Sequence, residues 1–398
     1  MNENKRVKWI DGIKGVACIL ILVHHYFLAK FPASYYGTAR ESMCNGLDVY
    51  FSQSVFSFFM TGNFFVHLYV LITGYVVTLQ VKKMQDKVYK FIPFTVKRYV
   101  KLSFPLLSYC FIVWILCFFF KIGDPAKISL IKAFKEGLIK ILFLGSTKFG
   151  GHFWMLNYIF LGGFAVSLFA TNSWHFNDRK MILMSLAVIF CILIHRTQAS
   201  IMYATCFSGA LLFFVINEIQ NLSLKFKNVF FVCMFFLSIF LGAYPTGVVP
   251  TNYYRFLLLP HSSGLSPFVW HCVASFLFFL SISQLDFMKK LFEFNTVQWL
   301  ANNSFCFYIL HGYGIFIAMS IGKLIRTKFS LSYVSVSILC LPVAIIISFL
   351  MAFLFQKFIV APFNSKINAL YLRHQSKVDE SRKFLEQLLL SLLRIQNS

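Results

Sequence analysis

Four ionisable residues lie in or beside the first apolar stretch of the chain, where charge is costly. Asp11, Lys14 and His25 are spaced at steps of three and four residues, so they share one face of a helix, while His24 points about 100° away. Eleven residues at a rise of about 1.5 Å put Lys14 and His25 roughly 16 Å apart along the helix axis. Ionisable residues in membrane spans usually face the protein interior and are functional candidates.

The spacing of Lys14 and His25 suits one extended ligand. Its anionic end would lie near Lys14 and its reactive end near His25, whose imidazole titrates close to neutral pH and is suited to general base chemistry. The alternative is a purely interfacial role. Asp11 and Lys14 then pair with each other, Lys14 extends to lipid headgroups, and His24 and His25 lie in the outer headgroup region.

The composition favours a membrane protein over a soluble one. Of the 398 residues, 58% are hydrophobic and only 13% are charged, against roughly 25% charged residues in soluble domains. A spanning helix needs about 20 mostly apolar residues. Ten stretches meet this need: 9–30, 63–80, 100–122, 152–171, 180–195, 199–217, 228–245, 266–285, 303–321 and 331–356. The sequence therefore predicts an all-α, polytopic transmembrane helix bundle with about ten spanning helices.

Two regions are expected, a membrane domain at residues 1–357 and a cytoplasmic amphipathic tail at residues 358–398. Four leucines share one face of the predicted tail helix: Leu385, Leu388, Leu389 and Leu392. This face would lie on the inner leaflet or bind a partner helix. Any chemistry is expected within the helix bundle or at its mouth.

The net charge of +23 would suggest nucleic acid for a soluble protein, but the basic residues fall mainly in alternate loops. This alternation predicts a multi-pass protein of the cell membrane with both termini in the cytoplasm. Residues 121–148 depart from the rule because they put six lysines on the outer side. We interpret this segment as a basic outer loop; the alternative is a misplaced span.

The ten cysteines indicate neither disulfides nor a metal site. They contain no C-x-x-C pair, and all except Cys44 fall inside predicted spans, where thiols behave as small apolar side chains. No metal cofactor is therefore expected.

Four segments carry a resemblance to a known family. Residues 10–15 read IDGIKG and precede an aliphatic run that ends at His25; residues 66–75 read VHLYVLITGY; residues 97–105 contain KRYVK and then a proline; residues 304–311 read SFCFYILH. In this order they resemble the acyltransferase 3 family, bacterial ten-helix proteins that acylate extracytoplasmic carbohydrates.

This chain departs from the family pattern at two places. Lys14 replaces the usual arginine, which keeps the charge but loses the planar bidentate fork. Residues 152–157 read HFWMLN and lack the glutamate that many members carry there. The chain also offers no fused extracytoplasmic hydrolase-like domain, so the acyl group would pass directly to the acceptor or to a separate partner.

The resemblance implies a cytoplasmic acyl-CoA donor, commonly acetyl-CoA, and an acceptor hydroxyl on a surface polysaccharide or its lipid-linked precursor. The expected partners are thus acyl-CoA, that glycan and membrane lipid, without nucleic acid. Three basic residues are expected to bind the donor: Lys14, Arg98 and Lys101. Arg98 and Lys101 have an alternative role as anchors to anionic lipid.

His25 is expected to act as a general base on the acceptor hydroxyl or to carry the acyl group transiently, with His24 as its catalytic companion. Three residues are expected to contact substrate: Tyr75, Trp154 and His311. For His311 the alternative is a packed, hydrogen-bonded histidine. Other histidines in or near spans have no assigned role: His67, His152, His195, His261 and His271.

Two other classes of protein compete with an acyltransferase. A secondary transporter or a translocator of lipid-linked glycan would use buried histidine and lysine residues as a proton relay. The sequence shows no paired broken helices in corresponding halves, which usually mark such transporters. A structural or sensor protein would leave His25 without a task. Only an acyltransferase would consume acetyl-CoA.

Overall fold

A computed structural model describes residues 7–84, 91–121, 127–173, 175–220, 226–260 and 262–396, without the side chains of residues 220, 379 and 382–396. The described residues form helices and no strands. We number the main helices in chain order: α1 Lys8–Lys30, α2 Gly62–Met84, α3 Phe91–Phe120, α4 (130–144), α5 Gly151–Asn172, α6 Asp178–Leu193, α7 Gln198–Gln220, α8 Lys227–Gly242, α9 Ser266–Gln284, α10 Asp286–Glu293, α11 Asn295–Phe329, α12 Tyr333–Phe355 and α13 Ala361–Gln396.

Each of the ten predicted stretches lies on one of these helices, and the predicted all-α polytopic bundle is confirmed. Within the described ranges, eight helical segments are long and apolar enough to cross a membrane. The other two, α6 and α8, have 16 residues each, about 24 Å of helix. They are shorter than the roughly 20 residues that a full span needs.

The lysine-rich segment after α3 is not an open loop, so that part of the sequence interpretation is wrong. Leu130–Lys135 continues as the π-helical Glu136–Leu144, and together they form α4. The Trp114 indole donates to the Ile128 carbonyl (2.9 Å), and the Tyr99 hydroxyl donates to the Leu138 carbonyl (2.9 Å). The chain therefore turns back and runs antiparallel along α3.

A buried carboxylate lies where this segment packs against α3, while the lysines of the segment stay exposed or half-buried. The side chain of Glu136 is 3% exposed and lies 2.7 Å from the Lys140 ammonium. Its second oxygen accepts a hydrogen bond from the backbone N–H of Lys148 (3.1 Å). The buried face of α4 can then pack on α3, because Lys140 balances the charge of Glu136.

Glycines let α1 lie directly against α10 and α11. A Cβ atom on Gly15 would lie 2.8 Å from the backbone nitrogen of Ala301, and one on Gly12 would overlap the carbonyl of Phe292. Small residues permit such close backbone approach in membrane bundles. The two glycines of the IDGIKG segment are thus packing residues.

A second glycine contact joins α2 to α7. Gly74 faces the carbonyl of Cys206, and Gly209 faces the carbonyl of Leu71, with no room for a Cβ atom at either glycine. The two helices therefore approach each other backbone to backbone, which fixes α2 between α1 and α7.

The tail begins as a continuation of the last span. After α12 the helix passes through the π-helical Gln356–Val360 into α13. Phe363 stacks on Phe104 with ring centroids 3.5 Å apart, and the Lys97 ammonium lies 3.8 Å from the Tyr371 ring centroid. The first part of α13 therefore packs along α3. The predicted leucine face (Leu385, Leu388, Leu389 and Leu392) lies outside the described side chains.

Candidate functional site

Three histidines from three helices meet near the C-terminal end of α1. The His25 ring stacks on the His311 ring of α11, with centroids 5.2 Å apart and planes inclined by 28°. The His152 ring, from the first turn of α5, lies 4.7 Å from His311 and 6.3 Å from His25. We call His25, His152 and His311 the three-histidine cluster.

Tyr308 of α11 holds two members of this cluster. The Nδ1 atom of His311 lies 2.7 Å from the Tyr308 carbonyl. A carbonyl only accepts, so Nδ1 carries the proton and Nε2 of the neutral ring is left as an acceptor. The Tyr308 hydroxyl in turn donates to the His152 carbonyl. The Nε2 atom of His152 is buried without a partner among the described residues.

The turn that carries His152 is held from two sides. The Tyr109 hydroxyl of α3 donates to the Phe149 carbonyl (2.9 Å), and the Tyr109 ring packs 5.2 Å from the ring of Phe153. Glu136 accepts from the backbone of Lys148, just before this turn. The α3–α4 hairpin thus positions the start of α5, and with it His152.

His25 is the member with the greatest freedom to act on a substrate. Its side chain is partly exposed, and no hydrogen bond of its ring is found in the described part of the chain. Both ring nitrogens therefore keep unused hydrogen-bonding capacity. An imidazole in this condition can accept a proton from a hydroxyl or attack a carbonyl carbon.

His24 has different surroundings from those of His25. Its Nδ1 atom donates to the Met60 carbonyl (2.6 Å), and its ring fills the space beside Gly62 and lies 5.4 Å from the ring of Tyr35. These contacts fix the C-terminal end of α1 against the start of α2. The His24 ring also lies 5.0 Å from the His25 ring, so its role as a catalytic companion of His25 stays a prediction beside these packing contacts.

Lys14 lies where the helix spacing predicts, but it already has a partner. Its ammonium is 2.5 Å from Asp11 Oδ1, and its carbonyl accepts a hydrogen bond from the Tyr69 hydroxyl (2.5 Å). The Asp11–Lys14 pair of the alternative interpretation is therefore present. An anionic ligand that binds Lys14 must compete with Asp11 or bind the pair from its exposed side.

Arg98 is a buried cation with few partners. One guanidinium nitrogen donates to the Ile159 carbonyl (2.8 Å), Nε is buried without a partner, and the group lies against Gly163, where no Cβ would fit. No carboxylate pairs with it among the described residues. Lys101 lies one turn further along α3, and Lys97 packs on the tail helix.

The two cations Lys14 and Arg98 lie at similar distances from the three-histidine cluster along the helix axes. Gly163, which touches Arg98, follows His152 by eleven residues of α5, or roughly 16 Å of helix axis. The same number of residues separates Lys14 from His25 on α1. Lys14 on α1 is therefore about 16 Å from His25 along the helix. Arg98 of α3 contacts α5 at about the same distance from His152.

The structure brings some of the predicted substrate-binding residues together and separates others. His311 belongs to the cluster, and Trp154 follows His152 by two residues with its ring 6.0 Å from Tyr158. Tyr75 does not join them. Its ring packs 4.9 Å from Phe279, which also contacts Trp9 near the N-terminal end of α1.

His152 is the site residue that the sequence reasoning missed. Its only sequence signal is a histidine at the first turn of a predicted span, in the segment where the family often carries a glutamate.

Elsewhere, a cavity of about 560 Å³ opens between α6 and α7, and no member of the three-histidine cluster lines it. Within the described residues, no group of three possible ligands is placed to hold a metal ion.

Fold and site together define a polytopic membrane protein that holds a histidine cluster inside its helix bundle. A family model described as an acyltransferase domain matches residues 7–353. The chain therefore belongs to the acyltransferase 3 family, and the resemblance inferred from the four segments is confirmed. Comparison with curated proteins and with solved structures found no match to this chain.

Proposed function

We propose that the protein is a membrane-bound O-acetyltransferase that moves an acetyl group from acetyl-CoA to a hydroxyl of a surface polysaccharide or its lipid-linked precursor. The observation that carries this proposal is the three-histidine cluster. In a bundle of acyltransferase type, His25 presents a ring without hydrogen bonds in the described chain, close to the acceptor nitrogen of His311.

Two routes for acetyl transfer fit this cluster. In the direct route, His25 takes the proton from the acceptor hydroxyl, the oxygen attacks the thioester carbonyl carbon, and the carbon–sulfur bond breaks. The imidazolium then returns the proton to the departing CoA thiolate. In the relay route, a His25 nitrogen attacks the thioester carbonyl carbon, the carbon–sulfur bond breaks, and the departing CoA thiolate takes the proton from the other ring nitrogen. The acceptor hydroxyl then attacks the acetyl-imidazole, the carbon–nitrogen bond breaks, and the hydroxyl proton passes to the ring nitrogen that is released. In both routes His152 and His311 would orient the acceptor by accepting hydrogen bonds from its other hydroxyls.

We place the phosphates of CoA beside Arg98. A buried cation is costly unless an anion pairs with it, and the described chain supplies no carboxylate to Arg98. A phosphate of CoA would supply the missing charge, with Lys101 on the same helix face and Lys14 at a similar depth. The pantetheine arm would then extend about 16 Å towards the three-histidine cluster.

The same proposal fixes the orientation in the membrane. The basic residues at the start of α1 and the end of α2 favour a cytoplasmic position for those ends, at the plasma membrane. Both termini are then cytoplasmic, the donor enters from the side of Arg98, and His25 lies near the outer side, where the acceptor is found.

The first experiment compares His25→Ala with His195→Ala, the same change at an exposed histidine outside the cluster. We expect His25→Ala to lower acetyl-CoA consumption in membrane vesicles at least about 100-fold, since a positioned general base contributes 10²–10⁴-fold. The ester signal in NMR spectra of the surface polysaccharide should disappear. Normal ester content in the His25 variant, at equal protein abundance, would contradict the proposal.

The second experiment tests the donor site with two donors, acetyl-CoA and acetyl-pantetheine, which lacks the phosphates. Arg98→Ala should raise the KM for acetyl-CoA about 10- to 100-fold, the cost of one hydrogen-bonded charge. It should leave the KM for acetyl-pantetheine unchanged, while Arg98→Lys should have an intermediate effect. An equal effect on both donors would instead assign Arg98 to packing or lipid anchoring.

A further inference from the structure

Two further histidines are buried together beside α2, away from the end of that helix that contacts His24. His67 on α2 and His271 on α9 have ring centroids 6.2 Å apart, and their side chains are 1% and 0% exposed. We call these two residues the histidine pair. Its hydrogen-bond partners among the described residues are Thr205 of α7 and Tyr244 after α8, and neither bonds to the three-histidine cluster.

Hydrogen bonds identify the protonated nitrogen of each ring. The Thr205 hydroxyl donates to the Ile201 carbonyl (2.8 Å), so its oxygen accepts from Nδ1–H of His67 (2.9 Å). The Nε2 atom of His271 lies 3.1 Å from the Tyr244 carbonyl, which can only accept, so Nε2 carries the proton. In neutral imidazoles the other nitrogens, Nε2 of His67 and Nδ1 of His271, are then acceptors.

Both acceptor nitrogens are buried without a partner in the described chain. Unpaired polar atoms in a protein interior cost as much as the hydrogen bonds they lack, and far more in a membrane span, where solvent cannot reach them. Two acceptor nitrogens, on rings whose centroids are 6.2 Å apart, therefore lack a donor.

We propose that the histidine pair binds a single buried water molecule that donates one hydrogen bond to each ring. Water supplies two donors for the two nitrogens, which is within the two to four hydrogen bonds that buried water makes. A metal ion fits less well, because the described residues offer no third ligand here and no carboxylate to balance its charge. The bound water joins α2 to α9 and has no part in acetyl transfer.

Two substitutions remove only the acceptor nitrogens. In His67→Asn the amide N–H₂ takes the place of Nδ1 and keeps the donor to Thr205. In His271→Gln the longer amide takes the place of Nε2 and keeps the donor to Tyr244. Each variant should lower the melting temperature in detergent by at least about 2 °C. The double variant should be no less stable than the worse single variant, since one shared ligand can be lost only once.

Additive losses in the double variant would overturn the proposal, because they would mean that the two nitrogens have separate environments. Both single variants should keep their rate of acetyl-CoA consumption, which shows that they remain folded. If the whole protein has no transferase activity, the stability measurements still decide this proposal.

A high-resolution electron-microscopy map of the protein would identify the ligand. We expect one compact density at about 2.7–3.2 Å from both acceptor nitrogens and a melting temperature that EDTA does not change. Direct contact between the rings, or a lower melting temperature after EDTA treatment, would show that no water is held there and would overturn the assignment.

Discussion

The three-histidine cluster and the histidine pair differ in how many ring nitrogens the protein already uses. In the cluster, His25 is partly exposed and its ring makes no hydrogen bond within the described chain. In the pair, His67 and His271 are both enclosed, and each ring donates to an oxygen on a neighbouring element.

This difference shows why a buried histidine in a membrane helix is not by itself a catalytic group. All five residues are costly to keep in a span, and the expectation of function applies to each of them equally. Exposure separates them. His25 is partly exposed, and in the proposed function it meets the substrate, whereas the histidine pair is enclosed.

The largest difference between the two regions should appear when one histidine in each is replaced by phenylalanine. His152→Phe keeps an aromatic ring but removes both nitrogens from the three-histidine cluster. We expect the kcat for acetyl transfer to fall about 10- to 100-fold, as when an orienting group is lost. His271→Phe should leave kcat unchanged and lower only the melting temperature. Comparable losses of kcat in both variants would remove the distinction between the two regions.

A smaller effect is expected where His24 packs on α2. A methyl group in Gly62→Ala would overlap the His24 ring, so α1 and α2 must separate or the bond to Met60 must break. We expect a melting temperature lowered by a few degrees and a several-fold loss of activity as His25 shifts. Gly264→Ala is the matched control, because its methyl group would enter open space. Wild-type activity and stability of Gly62→Ala would show that His24 is not held there.

The smallest effect on activity should follow from Thr205→Val, which keeps the side-chain shape but leaves His67 Nδ1–H without an acceptor. The free energy of unfolding should fall by about 1–3 kcal/mol, the cost of a buried polar group left unpaired. The control is Ser281→Ala, since the Ser281 hydroxyl bonds only to the carbonyl of Leu277 in its own helix. A loss of activity in Thr205→Val with no loss of stability would connect the pair to catalysis.

The sequence was sufficient for the helices because lipid forces each span to be long, apolar and internally hydrogen-bonded. It was less informative about where helices end. The predicted stretch 303–321 belongs to α11, Asn295–Phe329, since the polar residues on either side continue the helix beyond the apolar part. For α4 the prediction was wrong, because lysines are not expected to pack beside a span unless a group such as Glu136 balances one of them.

The candidate site was predictable only in part. Spacing along one helix placed Lys14 and His25 on a shared face, and the family motif indicated His311. His152 required tertiary structure, because it reaches the cluster through the turn that Tyr109 and Glu136 hold. Apart from its position in the segment where the family often carries a glutamate, no pattern in the sequence distinguishes His152 from His67 or His271. Their contacts come from distant parts of the chain, so only the folded arrangement separates them.

The glycine contact between α1 and α11 sets the register of the two helices. Gly15 lies against Ala301, and ten residues further along both helices His25 stacks on His311. The helices run in the same direction, so each rises by about 15 Å between the two contacts. Inserting one alanine between Gly15 and His25 would turn the imidazole by about 100° away from its neighbour while every side chain of the site stayed in the sequence.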